Sequence, residues 1–243
     1  MDWFFNFPSM ERNDLREFKK SVDFTFTDFT RSYGADIEGF FEPLLMFLVW
    51  FEKFFINTPW PLIIFGILTL AWIGSRSIAV VIGTFLSFML IGYFGMWEDT
   101  MSTLAIILVA TFLCISIGIP TGIAMSRSNK VQALIVPILD VMQTIPSFVY
   151  LIPVVMLFGI GLTPGVVATI IFALPPVIRL TNLGIRQVSK GFKEAGSSLG
   201  LTKALILIKI EIPLALKTIM AGINQTLMLA LSMVVIAALI GAG

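Results

Sequence analysis

Histidine is absent from the chain, cysteine occurs once, and only 13% of the 243 residues carry charge. The missing histidine removes His-based acid–base chemistry, nucleophilic triads that use His, and His-ligated metal sites. A single cysteine cannot form a disulfide within the chain, and Cys114, in the apolar run TFLCISIGI, reads as a small packing residue. A net charge of +1 gives no case for nucleic acid as a partner. No G-x-x-x-x-G-K-[ST] loop occurs, so nucleotide chemistry is not expected here. The start, MDWFFNFPSMERND, lacks the basic-then-apolar pattern of a cleavable signal. No catalytic residue, metal site or cofactor is expected in this chain.

What is abundant is apolar surface, at 57% of residues. A soluble domain carries about a quarter charged residues, and here the charges are also segregated. Uncharged stretches cover 54–75, 77–97, 100–126, 141–178 and 218–243. Each reaches the roughly 20 residues that cross a bilayer as a helix. Helix is required because hydrocarbon offers no partner to a loose backbone group. The expected class is all-α, a polytopic membrane helical bundle. Its spans are drawn at 59–75, 77–96, 101–125, a Pro-interrupted 131–159, 164–180 and 217–243, so that two N-terminal spans over 58–97 precede a core over 98–243.

Residues 1–53 hold ten acids and six bases, the remainder five acids and ten bases. Residues 1–40 read as a polar tail. Residues 41–57 are aromatic-rich but hold Glu42, Glu52 and Lys53, which suits a helix lying in the membrane interface better than a full span. Between the spans, connectors bearing Arg76, then Arg127 and Lys130, then Arg179 to Lys209, alternate with connectors lacking basic residues. The positive-inside rule makes the basic ones cytoplasmic and the N-terminal tail extracytoplasmic. Pro120, Pro137, Pro146, Pro153, Pro175 and Pro176 are expected to kink or break their helices, as helices beside transport pathways often are. The chain stops in an apolar run, GAG, without a basic flank, so a longer natural protein is expected.

The segment 191–213, GFKEAGSSLGLTKALILIKIEIP, lies in the long polar connector drawn over 181–213. It matches E-A-A, three residues, G, nine residues, I-x-L-P. Glu194, Ala195 and Gly196 fill the triplet, Gly200 holds its spacing, and Ile210, Ile212 and Pro213 complete it. The departures are Gly for the third Ala and Ile for Leu. The chain thus resembles the transmembrane domain of type I ABC importers. Through QTIPSFVYLIPVVMLFGIG (143–161), PGVVATIIFALPPVIRLTNLGIRQV (164–188) and residues 213–243 it resembles the permeases of glycine betaine/proline importers in particular.

That resemblance implies a multi-pass subunit of a bacterial inner membrane that moves a compatible solute. Its partners would be a separate ABC ATPase subunit, a solute-binding protein and a second permease copy in a homodimer. The loop around Glu194–Gly200 would dock on the ATPase. Glu194 would cap or pair near the start of its helix, and small residues at 195, 196 and 200 would allow close approach to the partner. Pro213 would end the amphipathic piece. Phe148 and Tyr150 are candidates to hold a quaternary ammonium, or else pack. Asp140, the only acid between 100 and 193, is a pathway candidate or sits near the cytoplasmic mouth. Asn224 and Gln225 are pathway candidates, with hydrogen bonding between helices the plainer reading. A permease for another solute, such as an amino acid, would carry the same loop. An ion-coupled transporter would want more acids or histidines in the spans, and a scaffold without transport would need no such loop.

Overall fold

The computed structural model describes residues 10–239, and among them no strand occurs. The expectations for residues 1–9 and for the GAG terminus fall outside the described residues. The first helix, α1, runs unbroken over Arg12–Asn57. Its 46 residues make a rod about 69 Å long. The boundary drawn at residue 40 leaves no mark on the backbone, because no turn dipeptide interrupts the segment and Pro43 is accommodated inside the helix.

At Thr58–Pro59 the chain bends by 103° into α2, Trp60–Ser75. Arg76 then takes a left-handed φ of 52°, and α3 follows over Ile78–Tyr93. Both helices have 16 residues, shorter than the spans drawn for them. The turn at 94–96, with Gly95 at φ 74°, closes α3 early. Next come α4, Trp97–Arg127, then α5, Asn129–Thr144, and α6, Ser147–Phe158. Helices α5 and α6 meet at 95° across Ile145–Pro146, the interruption expected within 131–159. The prolines are not equivalent. Pro146 separates two helices, whereas Pro120, Pro137, Pro153, Pro175 and Pro176 lie inside helices.

Helix α7 covers Leu162–Arg186 and α8 covers Lys190–Ser198. A short α9, Lys203–Ile206, passes through a π turn, Leu207–Glu211, into α10, Ile212–Leu239. Among the described residues three helices are long and apolar enough to span a membrane: Trp97–Arg127, Leu162–Arg186 and the continuous Lys203–Leu239. Counting each bent pair as one span gives five.

Helices α4, α7 and α10 form the centre, and the apolar half of α1 lies on it. Leu48, Ile106, Cys114, Val166, Ala173, Val177, Ala230 and Val234 share one core cluster. Close approach is made by glycine. A Cβ on Gly118 would lie 2.4 Å from Val177, and one on Gly122 would lie 2.6 Å from Thr181 and 2.8 Å from the Ile178 carbonyl. The Gly118-x-x-x-Gly122 spacing thus lets α4 sit directly on the backbone of α7. Thr226 of α10 donates to the Ala173 carbonyl at 3.0 Å, so the buried polar contact between these helices also stays satisfied.

Candidate coupling site

The segment singled out by its motif folds as a helix-turn-helix at the end of the bundle where α4 and α7 finish and α10 begins. Helix α7 continues to Arg186, so the connector is confined to residues 187–202 rather than starting at 181. Helix α8 starts at Lys190, which places Glu194 in its second turn. There it is exposed, and it neither caps the helix nor forms an ion pair among the described residues. The expected capping role is therefore not realised, because the helix begins four residues earlier than the motif.

Two glycines fix the geometry for different reasons. Gly200 ends α8 with φ 76°. The Leu201 amide donates to the Gly196 carbonyl at 3.1 Å and the Gly200 amide to the Ser197 carbonyl at 3.0 Å, the paired bonds of a Schellman stop. Gly196 is buried. A Cβ there would meet Ile210 Cδ1 at 2.7 Å and Ile206 Cγ1 at 3.3 Å. Its small size lets α8 lie on α9 and the π turn of its own chain, rather than on a partner as the sequence suggested. Phe192, Ala195 and Leu199, at i, i+3 and i+7, lie along one side of α8 and are exposed, with Phe192 bordering a groove that Gly184, Leu214 and Thr218 also line.

Pro213 does not end the amphipathic piece. It cannot donate a backbone hydrogen bond, and the π turn absorbs the defect: the Ile212 amide bonds five residues back to Leu207, and the helix continues. Thr202 caps the start, its hydroxyl accepting from the Leu205 amide at 3.4 Å.

The last residue of that turn, Glu211, has 0% exposure. Its carboxylate is paired with the Arg127 guanidinium at the end of α4 and, at 3.0 Å, with the Lys193 ammonium of α8. Lys193 also donates to the Ile185 carbonyl in the last turn of α7 at 3.4 Å, where a cation suits the helix dipole. Next to this, Arg186 donates to the Met125 carbonyl at 2.8 Å, to Asn129 at 2.9 Å and to Asn182 at 3.0 Å. The ends of α4 and α7, the start of α5, and the connector are thereby tied together. Glu211 occupies the unspecified x of I-x-L-P, so the motif gave no reason to select it. The signal available in sequence was an acid inside the apolar run ILIKIEIP.

The other candidates divide. Asp140 of α5 accepts from Arg179 of α7 at 2.5 Å, and both side chains are partly exposed. The Tyr150 hydroxyl donates to the carbonyls of Met142 and, at 3.2 Å, Val141, so it spans the bend between α5 and α6. Phe148 is exposed. Asn224 and Gln225 are exposed and form no hydrogen bond with described residues; the contact between helices expected of them is made by Thr226 on the face turned to α7.

A helical bundle with helices long and apolar enough to span a membrane carries the motif-bearing connector at its base, the arrangement expected from the resemblance to importer transmembrane domains. In agreement, residues 114–243 match the family described as "Binding-protein-dependent transport system inner membrane component", and the chain belongs to that family. It is similar to the glycine betaine/proline betaine permease ProW of Escherichia coli, with 47% identity over 224 residues, 92% of this chain and 62% of that protein. It is similar also to the glycine betaine permease OpuAB of Bacillus subtilis, at 52% identity, covering 70% of this chain and 60% of that protein. The glycine betaine/carnitine permease GbuB of Listeria monocytogenes is 48% identical over 76% of this chain and 66% of its own length. The chain thus spans about three-fifths of the length of ProW and OpuAB.

Proposed function

We propose that this chain is the membrane-spanning permease subunit of an ATP-driven importer for glycine betaine or a related compatible solute. The observation that carries the reading is the connector. Helix α8 is held against the bundle by Gly196 and Lys193 and leaves Phe192, Ala195 and Leu199 exposed, a short apolar strip on an otherwise polar loop. We assign that face to a separate ATPase subunit, since this chain has no phosphate-binding loop. Closure of the ATPase pair would push α8, and with it the helix bundle, between two access states by rigid-body motion.

The pathway needs a second wall, which a second copy supplies by two-fold symmetry. Asn224, Gln225 and Ser232 on the open face of α10, and the Asp140–Arg179 pair between α5 and α7, are the polar groups assigned to it. A charged pair is costly against lipid and belongs on water or protein. Phe148 beside the bend offers a ring to a quaternary ammonium. A solute-binding protein delivers the solute from outside, and the positive-inside pattern supports a connector on the cytoplasmic side. The assignment of the solute class rests on the relatives named for glycine betaine. Co-purification with the ATPase tests the connector: Leu199→Asp should release the ATPase while the permease stays in the membrane, and undiminished co-purification would refute the assignment.

A further inference from the structure

The Glu211 cluster has no place in the solute pathway or on the outward face of α8, yet it is the most completely buried charge in the described chain. We infer that Glu211 is the positioning residue of transmission, a buried anion that makes α8, the end of α4 and the root of α10 move as one body. The inference rests on the transport reading above and extends it to how the motion is carried.

A carboxylate removed from water is stable only if partners replace its hydration. Glu211 has two cations, and they come from different elements: Arg127 from α4 and Lys193 from α8. Neither cation is itself fully buried, with side-chain exposures of 40% and 33%. The anion is therefore the fixed point, and the cations converge on it. Separating α8 from α10 would take one of its two cations from a fully buried carboxylate, so the low-resistance motion of this region is a joint one. The π turn contributes as well. Its wider ring places Glu211 inward, and the unbroken run from Lys203 to Leu239 extends the joint into the longest helix of the central trio. The Arg186 bonds to Met125 and Asn129 brace the same end of α4 from the α7 side, so α4 cannot follow α8 without α7. A push on Phe192 or Leu199 thus reaches all three central helices through two side-chain clusters.

A merely structural carboxylate would affect folding and leave the efficiency of a folded complex unaltered. The test reads both. Spin labels are placed at Ser198→Cys on α8 and at Thr121→Cys on α4, in a Cys114→Ala background, and the distance distribution is measured in the purified subunit. With the labelled chain diluted into unlabelled chain, the intact protein should give one narrow distance within the chain. Glu211→Gln, which keeps the shape and removes the charge, should broaden it. Lys193→Met, which leaves the Arg127 pair in place and protects against a Glu211 variant that does not fold, should broaden it too. In the full importer in liposomes, either variant should lower solute moved per ATP hydrolysed by about ten-fold while ATP hydrolysis persists. An unchanged distance width, or an unchanged ratio of transport to hydrolysis, in the folded Lys193→Met variant would overturn the inference. Absence of ATP-driven uptake in the unsubstituted importer would instead count against the transport reading, because the spectroscopic readout does not depend on it.

Discussion

A Cβ on Gly196 would stand 2.7 Å from Cδ1 of Ile210, so the middle of α8 rests on the π turn that leads into α10. The contact is with the far end of a flexible side chain. Gly196→Ala should therefore be absorbed by rotation of Ile210, whereas Gly196→Leu should lift α8 and weaken ATPase association and uptake together. Adding Ile210→Ala to the Leu variant should restore part of both. The double-variant cycle on ATPase co-purification measures the coupling.

Gly200 differs because nothing lies within 4 Å of a Cβ there, and only its φ of 76° constrains it. Asparagine visits this region more readily than alanine, and a β-branched residue least. The expected order of destabilisation is Gly200→Asn, then Gly200→Ala at about 1 kcal/mol, then Gly200→Val. Thermal unfolding of the purified subunit in one detergent checks the order.

At the centre of the bundle, the Cβ of a Gly122→Ala variant would meet the Ile178 carbonyl at 2.8 Å as well as Thr181. Backbone cannot rotate aside, so α4 must move from α7 at a cost of about 1–3 kcal/mol. Gly39→Ala on α1, with nothing within 4 Å, should leave the melting temperature unchanged or raise it. The difference between the two melting temperatures is the readout.

Asp140→Asn would leave the Arg179 guanidinium without its counter-charge between α5 and α7. Uptake should fall by about ten-fold while ATPase co-purification is retained. Loss of co-purification would place the pair in the assembly of the subunit rather than in its pathway.

The membrane class was legible because charge segregation and apolar run length are properties of single residues summed over a window. So was an interruption within 131–159, although not that Pro146, rather than Pro137 or Pro153, would make it. The continuity of α1 across residue 40 was not, since composition changes there while helix propensity does not. Pro213 misled for a related reason: a proline reads locally as a stop, and the π turn that carries the helix through it depends on packing of Ile206 and Ile210 against Gly196. In the site, Gly200 was visible through spacing. Glu211 was not, because its importance arises from Arg127, 84 residues away. Likewise the polar contact of α10 fell to Thr226 and not to Asn224 or Gln225, a matter of helix phase that a single apolar-field argument cannot resolve.

The most direct measurement is ATP-dependent uptake of labelled glycine betaine into liposomes holding this subunit with the ATPase and the solute-binding protein proposed for it. Accumulation that requires ATP and all three components, and that disappears with Leu199→Asp, is the predicted result. Accumulation of a different solute in place of betaine, or uptake independent of ATP, would contradict the account.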